Sequence, residues 1–226
     1  RRKNYTAVPF KWYIFSMKLL RFSTPTLSPR YGWLFEDQIG EIDGDPFRAY
    51  RRLDPDIPVD GVKLLPPVIP GKIVCVGRNY EAHAKELNNA VSDVPVIFLK
   101  PGTSLVGPGN PIILPPQSSQ VQHEAELAAV IGKRGRWIDP SEAMDYVYGY
   151  TIANDVTARD LQRSDTTWTR GKGFDTFCPL GPWIDTDLDP ADVLITCHVG
   201  EEMRQMASTR DMVFSIAQLV VFISSV

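Results

Sequence analysis

Short apolar runs divided by turn-forming residues dominate the first part of the chain. Residues 18–22, 31–35 and 38–42 have the length and composition of β-strands, and Ser, Thr, Pro and Gly stand between them. Residues 43–68 are rich in proline and acids, which disfavours long regular elements, so this stretch reads as a linker toward a second unit, with a boundary near Leu65. Beyond it, 72–77, 96–100, 112–114, 124–131, 148–154 and 194–199 read as further strands. Helical patterns are fewer. Residues 80–87 place His83 and Glu86 one turn apart, Asp139 is positioned to cap a short helix over 140–144, and Met212, Ile216, Leu219, Val220 and Ile223 recur at helical spacing within 211–224. The pattern predicts an α+β, β-dominated fold. Its parts are an unassigned extension (1–16), a small β-rich N-terminal domain with linker (17–65) and a larger domain (66–226). The last helix is followed by no strand, whereas a β-rich core normally needs later strands to close its sheets, so the expectation is a domain incomplete at its C-terminal end.

Composition narrows the function classes. At 226 residues, with 43% apolar and 23% charged residues, the chain has the balance of an ordinary globular protein. A net charge of -3 and the absence of a basic cluster beyond residues 1–3 argue against nucleic acid as a partner. No run approaches the ~20 apolar residues of a membrane span. Three widely spaced cysteines, Cys75, Cys178 and Cys197, each in an apolar stretch, read as reduced core thiols of a cytoplasmic protein. Residues 1–16 carry four positive charges and no acid, and they precede the first methionine, Met17. Their apolar run is short for a signal peptide, and Met17 as the true start is the simpler account.

Four groups of residues can carry chemistry. Glu124 and Glu126 are two apart in a predicted strand, so both carboxylates face one side, where two like charges repel unless a cation lies between them. Hard oxygen ligands of this kind suit Mg2+, Mn2+ or Ca2+; a solvent-exposed strand edge with two charges is the alternative. His123 alternates to the opposite face and reads as a core or supporting histidine. Asp155 closes the apolar run 149–154 and is placed either as a third ligand or as the cap of a helix carrying Arg159 and Gln162. His83 and Glu86 form either a tautomer-fixing pair with a general base or a surface pair. Lys172, between Gly171 and Gly173, has a backbone that permits close approach to a ligand, and Phe174, Phe177 and Trp183 argue that its segment is packed.

Five segments in order, GRNYEAHAKE (77–86), FLKPGTSLVGPGNPI (98–112), HEAELAAVIGKRGR (123–136), GYTIANDVTARDLQ (149–162) and RGKGFDTFCPLGPW (170–183), together resemble the fumarylacetoacetate hydrolase family. The resemblance implies a mixed β-sandwich roll that commonly pairs into homodimers. It implies Glu124, Glu126 and Asp155 as ligands of Mg2+ or Mn2+, His83 with Glu86 as the water-activating dyad, Lys172 as a catalytic ammonium, and Arg78, Arg159 and Gln162 as substrate-binding groups. The implied activity is cleavage of a C–C bond in acylpyruvates or other 2,4-dioxo acids, the enolate being held by the metal. Oxaloacetate decarboxylation and isomerisation of 2-hydroxyhepta-2,4-diene-1,7-dioate are the alternatives within the family, with a small oxo or dicarboxylic acid as substrate in each case. The family's later Gly-Asp turn and Thr-Gly-Thr-Pro loop do not occur before Val226, so the expectation includes a truncated catalytic domain, and, as a further alternative, an inactive fragment that keeps only ligand or partner binding.

Overall fold

The computed structural model describes residues 16–80 and 93–226. The predicted dyad, His83 and Glu86, and residues 81–87 of the predicted helix lie outside the described residues, as does the extension up to residue 15. Five strands come first: β1 (Lys18–Ser23), β2 (Arg30–Phe35), β3 (Gln38–Gly44), β4 (Tyr50–Pro58) and β5 (Lys63–Leu65). Five more follow, β6 (Ile73–Gly77), β7 (Val96–Lys100), β8 (Leu105–Val106), β9 (Val121–Gln122) and β10 (Ala125–Ile131). The rest of the chain forms β11 (Val147–Asn154), β12 (Thr157–Ala158), α1 (Arg159–Ser164), α2 (Thr169–Lys172), β13 (Cys178–Asp185), β14 (Leu194–Val199), β15 (Glu202–Ser208) and α3 (Ile216–Ser224). The fold is β-dominated, as the sequence pattern predicts. No described helix is long and apolar enough to cross a membrane.

One nine-stranded sheet, in the order β10-β11-β13-β1-β2-β3-β4 with β5 on β1 and β8 on β13, runs through both halves of the chain. The join is between β1 and β13, where Lys18 pairs with Asp185 and Leu19 with Ile184. β1 can occupy a central position because its apolar residues serve both faces. Leu19 packs with Met17, Ile42, Val130 and Ile184 on one side, and Leu20 and Phe22 pack with Ile39 on the other. Burying a leucine or phenylalanine side chain stabilises by roughly 1.5–3 kcal/mol, so these residues tie the first strands to the sheet's far half.

Four local expectations are corrected. The stretch read as a linker contains β4, nine residues long. It lies at the sheet edge, paired among the described residues with β3 alone, where Pro55 and Pro58 break no central ladder. Residues 140–144 form turns: Asp139 Oδ1 accepts from Ser141 N at 2.8 Å, and a 3-10 turn follows over Ala143–Tyr146. The long helical pattern from 211 shortens to α3, because Ser215 caps it through a reciprocal box with Gln218. Residues 112–114 form no strand either; prolines at 111, 115 and 116 flank them, and Ile113 N donates to Thr176 Oγ1. The cysteines are all free, Cys178 buried and Cys75 and Cys197 partly so.

Candidate metal centre

The two glutamates lie where the edge strand β10 begins. Glu124 N donates to Asn154 Oδ1 at 3.0 Å and Asp155 N donates to the Glu124 carbonyl at 2.8 Å, so Glu124 continues the line of β10 just before its ladder starts. Glu126 pairs in register with Ala153 of β11. The alternation of side chains then turns both carboxylates to one face, and Asp155 reaches them from the end of β11. Carboxylate oxygens of Glu124, Glu126 and Asp155 all lie within 4.8 Å of one another.

Three buried cations surround this group. Lys172 Nζ donates to Glu124 Oε2 at 2.8 Å and to Asp155 Oδ2 at 2.5 Å. Lys100 Nζ donates to Asp155 Oδ1 at 2.6 Å and to the carbonyls of Lys172 and Val156, and its side chain is fully buried. Arg159 pairs with Glu124 Oε1 while its other nitrogens donate to Gln122 Oε1 and Gln162 Oε1. The Thr157 hydroxyl lies 2.8 Å from the Asp155 carbonyl oxygen and 3.2 Å from Glu124 Oε1. Glu126 differs, forming neither a hydrogen bond nor an ion pair with a described residue. Burial, reinforced by the Asp155 and Glu124 charges, pushes its carboxyl up to about 8, with Lys172 and Lys100 pulling only partly the other way. At Lys172 burial disfavours the ammonium, but Glu124 and Asp155 outweigh it and hold the group above its ordinary value. Lys172 therefore stays charged and is no general base near neutral pH.

The donor set fits a hard divalent cation: three carboxylates converge, and one of them, Glu126, makes no ion pair with a described residue. The site opens into a cavity of about 1780 Å³, whose walls include Arg78, Arg159, Gln162, Lys100 and Lys172. Arg78 adopts φ 61° and lies with its guanidinium 5.7 Å from the Trp168 ring centre. A side chain at Gly77 would meet that indole at 2.7 Å, so Gly77 makes room for Trp168 beside Arg78.

Several site expectations are sharpened or corrected. Asp155 does not cap a helix, since α1 begins after Ala158 without a side-chain cap. Gly171 is needed for packing more than for ligand approach: a Cβ there would sit 3.0 Å from the Gln162 backbone, so α2 can lie against α1 only with glycine at this position. His123 stays out of the cluster, with Nδ1 buried and unpaired among the described residues. The sequence reading missed Lys100, although a lysine ending the apolar run of β7 is a visible oddity.

Residues 72–226 match the family model described as fumarylacetoacetate (FAA) hydrolase C-terminal, and 17–67 match that described as Rv2993c-like, N-terminal. The chain belongs to the fumarylacetoacetate hydrolase family. Among its relatives in that family is a bovine protein named oxaloacetate tautomerase FAHD2B, mitochondrial, 47% identical over 183 residues, covering 78% of this chain and 58% of that one. A protein from Methanocaldococcus jannaschii is 51% identical over 157 residues, and that match spans 70% of this chain and 66% of the archaeal one. The chain thus spans less than two thirds of either relative. Among solved structures, 2-hydroxyhepta-2,4-diene-1,7-dioate isomerase from Mycobacterium marinum superposes with a TM-score of 0.85 at 41% identity, covering 93% of this chain and 82% of that one. Maleylpyruvate hydrolase from Sphingobium sp. SYK-6, solved with manganese(II) and pyruvate, gives a TM-score of 0.72 at 32% identity, covering 92% and 83%.

Proposed function

We propose that the protein is a divalent-metal-dependent enzyme of small 2-oxo acids that cleaves a C–C bond in acylpyruvates by adding water to the distal carbonyl. The observation that carries this reading is Glu126, a half-buried carboxylate beside two others that makes no ion pair with a described cation. Held by Glu124, Glu126 and Asp155, Mg2+ or Mn2+ would supply Lewis-acid polarisation of the substrate's oxo oxygen and neutralise charge. The manganese and pyruvate of the Sphingobium hydrolase are consistent with both halves of that assignment.

The remaining work falls to the chain's own side chains. Arg78 makes no ion pair with a described residue and is a cation on the cavity wall available to a substrate carboxylate. Arg159 is already engaged by Glu124, Gln122 and Gln162, so it orients Glu124 and holds Gln162 on the cavity wall. His83, which the family resemblance pairs with Glu86, takes a proton from water as the oxygen adds to the distal carbonyl. The C–C bond then breaks with its electron pair going to the carbon next to the oxo group, and the imidazolium returns the proton there. Lys172, held as an ammonium, stabilises the negative charge that builds on oxygen. A homodimer is the working unit in this reading, which light scattering would check.

A second reading, keto–enol tautomerisation or decarboxylation of oxaloacetate or isomerisation of a hydroxydiene diacid, is favoured by the identity to the bovine tautomerase and the mycobacterial isomerase. It needs the same cationic wall and the same base, without attack by water. Following the diketo absorbance of acetylpyruvate beside the enol absorbance and CO2 yield of oxaloacetate, with Mn2+, Mg2+ or EDTA, separates the two. Mn2+- or Mg2+-dependent loss of acetylpyruvate that Glu124→Ala abolishes supports hydrolysis. Activity on oxaloacetate alone moves the assignment to the second reading, and turnover indifferent to EDTA sinks both.

A further inference from the structure

The backbone of Ala125 separates the two glutamates of the metal centre, and it lies on the open edge of the nine-stranded sheet. Alternation along an antiparallel strand explains why that edge is bare at this point. The backbone groups of Glu124 are taken by Asn154 and Asp155 on the β11 side, so those of Ala125 point the other way, where the main sheet has no further strand among the described residues. They do not go unpaired. Ala125 N donates to Gln205 Oε1 at 2.8 Å, and Gln205 Nε2 donates to the Ala125 carbonyl at 2.6 Å. One side-chain amide, brought by the hairpin β14–β15 from 80 positions along the chain, thus does for a single residue what a neighbouring strand would do.

The consequence is geometric. The Ala125 N–H belongs to the peptide plane joining it to Glu124, and its carbonyl belongs to the plane joining it to Glu126. Fixing both planes fixes the relative direction of the two Cα–Cβ bonds that carry the carboxylates. We propose that Gln205 is a positioning residue for the metal centre, setting the separation of the Glu124 and Glu126 carboxylates through Ala125. This rests on the metal reading above. Gln205 touches neither carboxylate in the contacts described, so its effect on the ion passes through the backbone.

Gln205→Met keeps the length of the side chain and removes both polar partners. The measurement is the Mn2+ dissociation constant, from the electron paramagnetic resonance signal of free Mn2+, at a temperature where circular dichroism shows each protein folded. Removing a group that orients metal ligands typically costs 10–100-fold in affinity, and a rise of about that size is expected here. Ser208→Ala is the control for a merely structural role. It breaks the 2.7 Å bond from Ser208 Oγ to Asp192 in the same hairpin, and should lower the melting temperature while leaving Mn2+ affinity unchanged. Should Gln205→Met not fold, Gln205→Asn, which withdraws the same amide by one methylene, gives the same readout. The inference is overturned if the Gln205 variant binds Mn2+ like the wild type, or if Ser208→Ala weakens binding equally. A wild-type chain that binds no Mn2+ overturns the metal reading itself, which separates the two failures.

Discussion

Glu126 sits where the protein favours a proton over a charge. Its folded value of about 8 stands above the ordinary 4.5, so between those values the folded chain keeps a proton that the unfolded chain has released. The associated stability is complete below about 4.5 and is lost as pH rises through about 8. In EDTA the melting temperature should therefore fall between pH 6 and pH 9, and saturating Mn2+ should remove or reverse that fall; equal slopes with and without the ion would contradict the assignment. Lys100 gives a second test at this scale. Its ammonium serves Asp155 and two carbonyls in a fully buried position, so Lys100→Met should cost roughly 3–5 kcal/mol in urea unfolding by leaving Asp155 short of a counter-charge. The glutamate pair was legible because a two-residue spacing in a strand has only one geometric reading. Lys100 was not, since its three acceptors lie 55, 56 and 72 positions away and no local pattern announces them.

At the scale of elements, the sequence pattern located strands well and misjudged what interrupts them. Prolines in β4 argued for a linker, yet proline is tolerated on an edge strand, and whether a strand is an edge strand depends on partners elsewhere in the chain. The glycines around Lys172 show a similar ambiguity. A missing Cβ serves ligand approach and helix packing alike, and only the contact between Gly171 and Gln162 decides for packing. Gly171→Ala should lower stability by about 1–3 kcal/mol through overpacking of α2 on α1. A variant with wild-type stability would mean that the two helices are not packed as described.

At the scale of the whole molecule, the N-terminal strands and the strands that carry the carboxylate cluster share one sheet and one core, with Met17, Leu19, Ile42, Val130 and Ile184 in contact across the join. The content of strands could be read from the sequence; their order could not, because the pairing of β1 with β13 leaves no mark in either strand. The full chain should unfold in a single transition, and residues 66–226 alone, with part of the β13 edge bare, should aggregate or melt without cooperativity; a sharp transition for that fragment would show the two parts to be independent. Where the join is made also bears on how the chain is born. Met17 and Thr186, which bond to each other beside the join, are 169 positions apart. At synthesis rates of ~5–20 residues per second, the edge of β1 at Lys18 and Leu19 leaves the ribosome on the order of ten seconds or more before its partner exists. For that interval the nascent chain presents an open, leucine-bearing strand edge, which makes this the point where a chaperone, or a second nascent chain, would first take hold.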